Sequence, residues 1–426
     1  MTGRGGFRTL GALLLIYIVS RGLLVAAGMS GFALLPSGRT LSAGNVQRSW
    51  AGPRALEMWA RWDSEWYLLI AERGYHLEES MSGRRVAYEP ADATGFFPLY
   101  PILTRQVARA LEWIPAVRSL ATAPFTPRDP TDTTPRGAAL LLAGVLVSNT
   151  ALLGSLVLLL DRAGSAPSRP RPGESGGKSP ERAALFACVA LLFFPPSIFL
   201  SAVYAESLLL FLTILCFRFL SGGRWLAAAM AGALASATKP TGLLLLVPAV
   251  LTMARSRVDR PEGSRGSWLA PWVTLPLYGA GAAGFSLYCG QAFGDPLSWL
   301  HRQDRWRGPL SGPWRAFTRW AESPRVHGSH GSTVELILAI FVLTWLLISF
   351  WRRPAAEGIL AGLVAVPPLC STLWSYGRLS LQAFPIFITL GEVLARRPKL
   401  AAVYVAIGAA GSAVLMAYFA AGFWAG

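Results

Sequence analysis

A chain of 426 residues that is 53% hydrophobic and only 15% charged, with a mean hydropathy of +0.42, carries more apolar side chain than one water-soluble core can bury. Its formal charge of +16 does not point to nucleic acid, because the basic residues fall between apolar runs, where the cytoplasmic-loop bias and anionic headgroups account for them. Cys188, Cys216, Cys289 and Cys370 lie inside apolar runs without paired spacing and read as small core residues, neither a disulfide framework nor a metal site.

The composition predicts an all-α polytopic membrane protein, one integral unit over 1–426. The first apolar run, about Leu10 to Leu35, follows Arg4 and Arg8 and carries Arg21; it is too long for a signal-peptide core and reads as a retained helix with a cytoplasmic start. Further runs follow near Gly137 to Leu160, Ala183 to Val203, Ser207 to Leu220, Trp225 to Thr238, Thr241 to Met253, Trp268 to Ala292, Val334 to Trp351, Gly358 to Leu373, Leu379 to Leu394 and Ala401 to Trp424. That makes about eleven spans, several of them short for a hydrocarbon layer of about 30 Å. With the N-terminus inside, the segments 161–182, 222–224, 254–267, 352–354 and 395–399 face the cytoplasm, and each carries Arg or Lys. Within the first of these, the Pro/Gly/Ser-rich SAPSRPRPGESGGKSP reads as a linker. Two large loops then lie outside, 36–136 and 293–333. The second is rich in arginine, including Arg302 and Arg305, against the usual charge bias, and that excess calls for a function.

Within the first outer loop the stretch ARWDSEWYLLIAERGY stands out. On a helix of about 100° per residue, Trp59, Trp62, Asp63, Trp66, Tyr67, Ile70 and Arg73 share one face, with Arg61, Glu65 and Glu72 opposite. Arg61 and Glu65 read as a solvated i, i+4 pair, and the whole suits an interfacial helix. Arg73 lies about 15 Å up the axis from Asp63 and cannot neutralise it locally. The structural alternative is that Asp63 caps a helix or pairs with a distant residue. A carboxylate in apolar surroundings is costly, which favours a functional one. At an outer membrane boundary it can act as general base for a hydroxyl whose reaction partner arrives from the bilayer, while arginines neutralise a departing phosphate. One carboxylate suffices there, since a sugar phosphate brings its own leaving group and glycoside hydrolysis would need a second acid.

The blocks RWDSEWYLLIAERGY, GFFPLYPILTR (Gly95 to Arg105), FPPSIFLSAVYAESLLLF (Phe194 to Phe211), ATKPTGLLLLVP (Ala237 to Pro248) and FGDPLSWL (Phe293 to Leu300) occur in an order that resembles the PIG-V type mannosyltransferases over most of the chain. The resemblance implies a GT-C fold and an inverting enzyme that takes mannose from a polyprenyl-phosphate mannose on the non-cytoplasmic side, with Asp63 aligned to the base. For a bacterial relative it does not supply the acceptor, which is expected to be a lipid-linked or cell-envelope hydroxyl in the inner membrane. No cofactor or metal is expected. Trp62, Trp66 and Tyr67 are candidate substrate contacts. Glu206 in VYAES is placed to bind sugar hydroxyls or to orient a basic partner, against a helix-start preference for acids. Lys239, before Pro240 and between two short runs, suggests broken helices facing a cavity, with a phosphate contact weighed against snorkelling. Arg302, Arg305 and Arg378 are further phosphate candidates, and for Arg21 structural pairing and donor binding stand equal. The helical spacing of Asp63 and Glu65 argues against a metal between them, and His301, His327 and His330 lack a clear carboxylate companion. FFPLYP reads as an interfacial aromatic turn. A flippase of lipid-linked sugars is the alternative, although only Arg21 and Arg218 fall within spans and no repeat is evident.

Overall fold

The computed structural model describes residues 4–36, 53–75, 90–117, 138–165, 180–258 and 269–425. The linker 166–179, the stretches 37–52, 76–89 and 118–137 in and after the first outer loop, and the segment 259–268 lie outside the described residues. Among the described residues the protein is built from helices. They are α1 (Arg4–Leu34), α2 (Arg54–Glu57), α3 (Ser64–Arg73), α4 (Leu99–Leu111), α5 (Ala138–Ser165), α6 (Pro180–Leu192), α7 (Glu206–Ser221), α8 (Trp225–Thr238) and α9 (Leu246–Val258). After a broken stretch come α10 (Ala280–Phe293), α11 (Ser298–Arg307), α12 (Arg315–Glu322), α13 (Thr333–Arg352), α14 (Ala355–Ala365), α15 (Phe384–Arg396) and α16 (Pro398–Ala421).

Among the described residues four helices are by themselves long and apolar enough to cross a membrane, over Phe7–Leu34, Ala138–Gly164, Thr333–Arg352 and Pro398–Ala421. Their exposed Leu15, Ile18, Ile337, Leu347, Val403 and Ile407 are what a lipid-facing surface requires. The remaining apolar runs are interrupted. The predicted span Ala183 to Val203 ends as α-helix at Leu192 and continues as a 3-10 turn over Pro195–Leu200, because Pro195 and Pro196 cannot extend the hydrogen-bond ladder. Pro240 breaks the next pair of runs in the same way. Leu379 to Leu394 is a short arm over Tyr376–Gln382 set at 86° to α15. The sequence therefore overstates the number of straight spans, and the breaks are where polar groups collect.

α15 packs on α6, and α16 lies along α1 and the Pro195–Leu200 turn. Two glycines allow these approaches: a Cβ on Gly391 would stand 2.3 Å from Ala187 N, and one on Gly408 would stand 1.9 Å from Phe193 O. Arg21 secures the break in the neighbouring run. Buried at the α1 interface, it donates to Leu192 O (3.2 Å), Ser197 O (3.2 Å) and Ser201 Oγ (3.1 Å), so carbonyls freed by the double proline have a charged donor. The structural reading of Arg21 thus has a geometric basis. Arg21→Leu is expected to cost about 1.5–3 kcal/mol, the range for hydrogen bonds from a charged group. A lower melting temperature in detergent, with unchanged activity per folded molecule, would be the signature.

At the opposite end of the bundle the arginines that close the long helices are internally paired. Arg162 at the end of α5 donates through Nε to Glu357 Oε1 (2.9 Å), with Nη2 on the same oxygen. Arg353 Nε meets Glu357 Oε2 (2.7 Å), and its Nη1 meets Glu392 Oε1 (3.2 Å). Arg218, the second ionisable group assigned to a span, lies in the last turn of α7 and pairs with Asp161 at 2.9 Å with both side chains partly in solvent.

Candidate active site

The segment around Asp63 differs from the continuous helix that its periodicity suggests. α3 begins only at Ser64, and Trp62 adopts the left-handed region with φ 58°. Asp63 occupies the N-cap position, yet its side chain makes no capping bond. Tertiary contacts impose this turn. Val203 N donates to Trp59 O (3.0 Å) and Tyr204 Oη to Arg61 O (3.0 Å), which holds the strand of chain before Asp63 against the loop between the Pro195–Leu200 turn and α7. Arg61 is buried rather than solvated. It pairs with Glu57 (3.1 Å) and donates to Ala420 O (3.1 Å), so the expected Arg61–Glu65 surface pair is replaced by one on α2. At the other end of α3, Arg105 Nε and Nη2 donate to Ala71 O (2.5 Å) and Ile70 O (3.1 Å), closing the helix as a C-cap.

Asp63 finds its partner far away in sequence. Arg378, on the short arm before α15, donates through Nη1 to Asp63 Oδ2 at 2.5 Å. Its Nε lies 3.6 Å from Glu206 Oε1, and the same carboxylate oxygen is bound by Lys239 Nζ at 2.7 Å. Asp63, Arg378, Glu206 and Lys239 thus form one alternating chain of charges. Each member sits at a break: the start of α3, the bent arm, the start of α7, and the extended residue between α8 and Pro240. Lys239 is turned to Glu206 and does not snorkel. Gln382 Nε2 also holds Glu206 O (3.0 Å), tying the arm to the start of α7. Arg378 is enclosed by the rings of Tyr204 (5.2 Å), Phe199 (5.4 Å) and Trp424 (5.4 Å). Ser375, three residues before it, is the second non-glycine residue in the left-handed region, with φ 63°.

The other predicted residues divide. Trp62 meets Trp424 edge to face at 5.2 Å, beside the Arg378 guanidinium. Trp66 stacks on Phe96 at 5.5 Å, and Tyr67 is buried between Phe96, Tyr100 and Tyr204. These two, with the GFFPLYP aromatics, form the wall that supports α3. Tyr100 Oη donates to Gly144 O (2.9 Å) and meets Ser148 Oγ (2.8 Å), which makes FFPLYP a packed anchor on α5. Arg302 pairs with Asp92 at 3.1 Å and joins α11 to the first loop. The Arg305 side chain lies outside the described residues.

Arg307, Arg319 and Glu335 were not singled out by sequence reasoning. Arg307 Nη2 donates to Trp374 O (3.2 Å), and Arg319 Nη1 donates to Arg307 O (3.0 Å) and Ser371 O (3.3 Å). Burial, and then the neighbouring Arg378 charge, push the Arg307 guanidinium down to about 10. Glu335 Oε2 accepts from Gly377 N (2.7 Å) and so fixes the arm that carries Arg378. His327 and His330 stand in an ordered turn closed by Arg325 N to Gly331 O (2.9 Å) and Thr333 N to Arg325 O (2.8 Å), where the sequence suggests a flexible loop. His330 bonds Thr372 Oγ1 (2.9 Å) and sets its ring 4.5 Å from Trp374. Burial, with Arg319 and Arg307 nearby, lowers its pKa. His301 pairs with Asp295 at 2.8 Å on the exposed surface.

No protein-family model matches the sequence, and no curated protein matches it. Likeness is found in three dimensions. The chain is similar to the crystal structure of ArnT from Cupriavidus metallidurans bound to undecaprenyl phosphate, with a TM-score of 0.51 and 13% identity over 97% of this chain and 78% of that one. It also matches the Archaeoglobus fulgidus oligosaccharyltransferase tethered with an acceptor peptide, with a TM-score of 0.40 and 14% identity, over 95% of this chain and 54% of that longer one. The protein is an all-helical integral membrane protein with the GT-C fold.

Proposed function

We propose that the protein is an inverting glycosyltransferase that moves mannose from a polyprenyl-phosphate mannose to a hydroxyl of a lipid-linked or cell-envelope acceptor. The observation that carries this is the Asp63–Arg378 pair: a carboxylate on the turn before α3, held at 2.5 Å by an arginine that keeps further N–H groups for an anion. The ArnT structure to which the fold is similar is bound to undecaprenyl phosphate, which supports a donor of that lipid class. The ordered PIG-V type blocks support mannose and an extracytoplasmic site in the inner membrane, with a cytoplasmic N-terminus.

The chemistry follows from charge. Asp63 takes the proton of the acceptor hydroxyl as its oxygen bonds to the anomeric carbon, and the bond from that carbon to the phosphate oxygen breaks on the opposite face. The departing polyprenyl phosphate is met by Arg378 and Lys239, whose charges are held close by Glu206. Arg378 has a second duty. As the phosphate draws on its guanidinium, its grip on Asp63 loosens, so the base becomes most available when donor is bound. Arg302 is held by Asp92, and Arg307 and Arg319 bond carbonyls beside the Arg378 arm, so these three support the site and leave the phosphate to Arg378 and Lys239. In the flippase reading Arg21 would handle the cargo, and its carbonyl partners leave that reading without support. Incubating purified protein with labelled undecaprenyl-phosphate mannose and membrane extract is expected to yield a labelled glycolipid or glycan. Absence of any transfer, with the donor intact, would overturn the assignment.

A further inference from the structure

Three indoles converge beside the Asp63–Arg378 pair. Trp62 precedes the carboxylate, Trp374 precedes the arm that carries Arg378, and Trp424 follows α16. Trp424 bridges the other two, edge to face, at 5.2 Å from Trp62 and 5.8 Å from Trp374. The Nε1 atom of each is buried without a hydrogen-bond partner. An indole N–H is a donor with no acceptor capacity, and a buried donor left unmade loses its hydration with no return. A neighbouring ring face compensates only weakly. Acceptors are left unpaired around the same Arg378: Glu206 Oε2 and Gln382 Oε1 are also buried and unpartnered, although Glu206 Oε1 and Gln382 Nε2 are engaged.

This inventory narrows the missing ligand. An acyl or isoprenoid tail would satisfy none of these atoms. A phosphate offers acceptors alone and would leave Glu206 Oε2 and Gln382 Oε1 without a donor. Hydroxyls both donate and accept, and the C–H face of a pyranose lies well on an indole. We propose that Trp62, Trp374 and Trp424, with Glu206 and Gln382, form the subsite that holds a pyranose ring against the base. It rests on the glycosyltransferase reading above and assigns the indoles to the sugar, leaving the phosphate to Arg378 and Lys239.

The test compares undecaprenyl-phosphate mannose, sugar-free undecaprenyl phosphate and methyl α-mannopyranoside as ligands of the purified full chain in nanodiscs. Trp62→Phe, Trp374→Phe and Trp424→Phe keep an aromatic ring and remove the donor. Each is expected to weaken a mannose-bearing probe by about three- to tenfold, the worth of one hydrogen bond, and to leave the sugar-free lipid within twofold. Loss confined to the mannosyl lipid assigns the ring to the donor, and loss confined to the methyl mannoside assigns it to the acceptor. Equal loss for the sugar-free lipid, or no loss for any probe, overturns the proposal. For wild-type protein, which sidesteps any folding defect, the mannose-bearing probe should shield Trp62, Trp374 and Trp424 from N-bromosuccinimide oxidation, read peptide by peptide by mass spectrometry. Shielding by sugar-free lipid alone would overturn the subsite. Wild-type protein that binds neither lipid would instead refute the glycosyltransferase reading itself, and the subsite with it.

Discussion

Asp63→Asn is expected to reduce mannosyl transfer by about 10²–10⁴-fold, the usual contribution of a positioned general base, while the protein still inserts and elutes as a single species. Asparagine preserves the shape of the side chain and a hydrogen bond to Arg378 but cannot take the acceptor proton. The binding of sugar-free undecaprenyl phosphate should tighten or stay constant, because Arg378 is freed from a competing carboxylate. Wild-type turnover in the variant would remove Asp63 from the mechanism. Arg378→Lys would probe the other half: a lysine presents a point charge where the arginine reaches Asp63, Ser375 and the edge of Glu206 from one planar group.

The largest expected effect on stability lies at the far end of the bundle. Glu357 is fully buried and accepts from both Arg162 and Arg353, whose side chains are 9% and 0% exposed. Glu357→Gln would take the shared carboxylate from two buried guanidiniums, of which Arg162 keeps Phe217 O and Ser221 Oγ and Arg353 keeps Glu392. Breaking a buried pair by removing one partner costs about 3–5 kcal/mol, and here one removal affects two pairs. Thermal unfolding in detergent should show a large drop in melting temperature, and a shift no greater than that of a surface substitution would show that water already reaches this cluster. Replacing Arg162 and Glu357 together by Met and Leu should recover the share of the loss that belongs to Arg162, since that part of the cost lies in its orphaned charge, while Arg353 still lacks Glu357.

The class of the protein was legible because composition decides the solvent, and the long helices were legible because nothing interrupts them: α1, α5, α13 and α16 match their apolar runs to within a few residues. The shorter runs look like straight helices in sequence because an apolar count does not register how Pro195, Pro196 and Pro240 divide them. Asp63 could be singled out by its misfit among aromatic neighbours. Its partner could not, since 315 residues separate it from Arg378 and no local pattern encodes such a pairing. The backbone at Trp62 was equally hidden. Helical periodicity assumed a regular turn there, and the contacts from Val203 and Tyr204 override it. Glu335 and Glu357 look like ordinary helix-start acids in sequence, and only burial separates them from the solvated kind. Trp374, just past the Gly358 to Leu373 run, and Trp424, at the end of the last one, sit where indoles suit a membrane interface and carry no mark of a site.

Trp62 and Ser375 bracket the reacting pair, and both hold backbone angles that a side chain disfavours. Such positions relax when given glycine, by about 1 kcal/mol, so Ser375→Gly is expected to raise the melting temperature slightly and to slow turnover as the Arg378 arm loses its fixed pose. Directed evolution for heat tolerance would therefore be drawn to the Ser375 codon, since glycine at Trp62 would forfeit its packing on Trp424, and would enrich sturdy but sluggish variants. Screens on this scaffold need catalytic output as a co-selected trait from the first round.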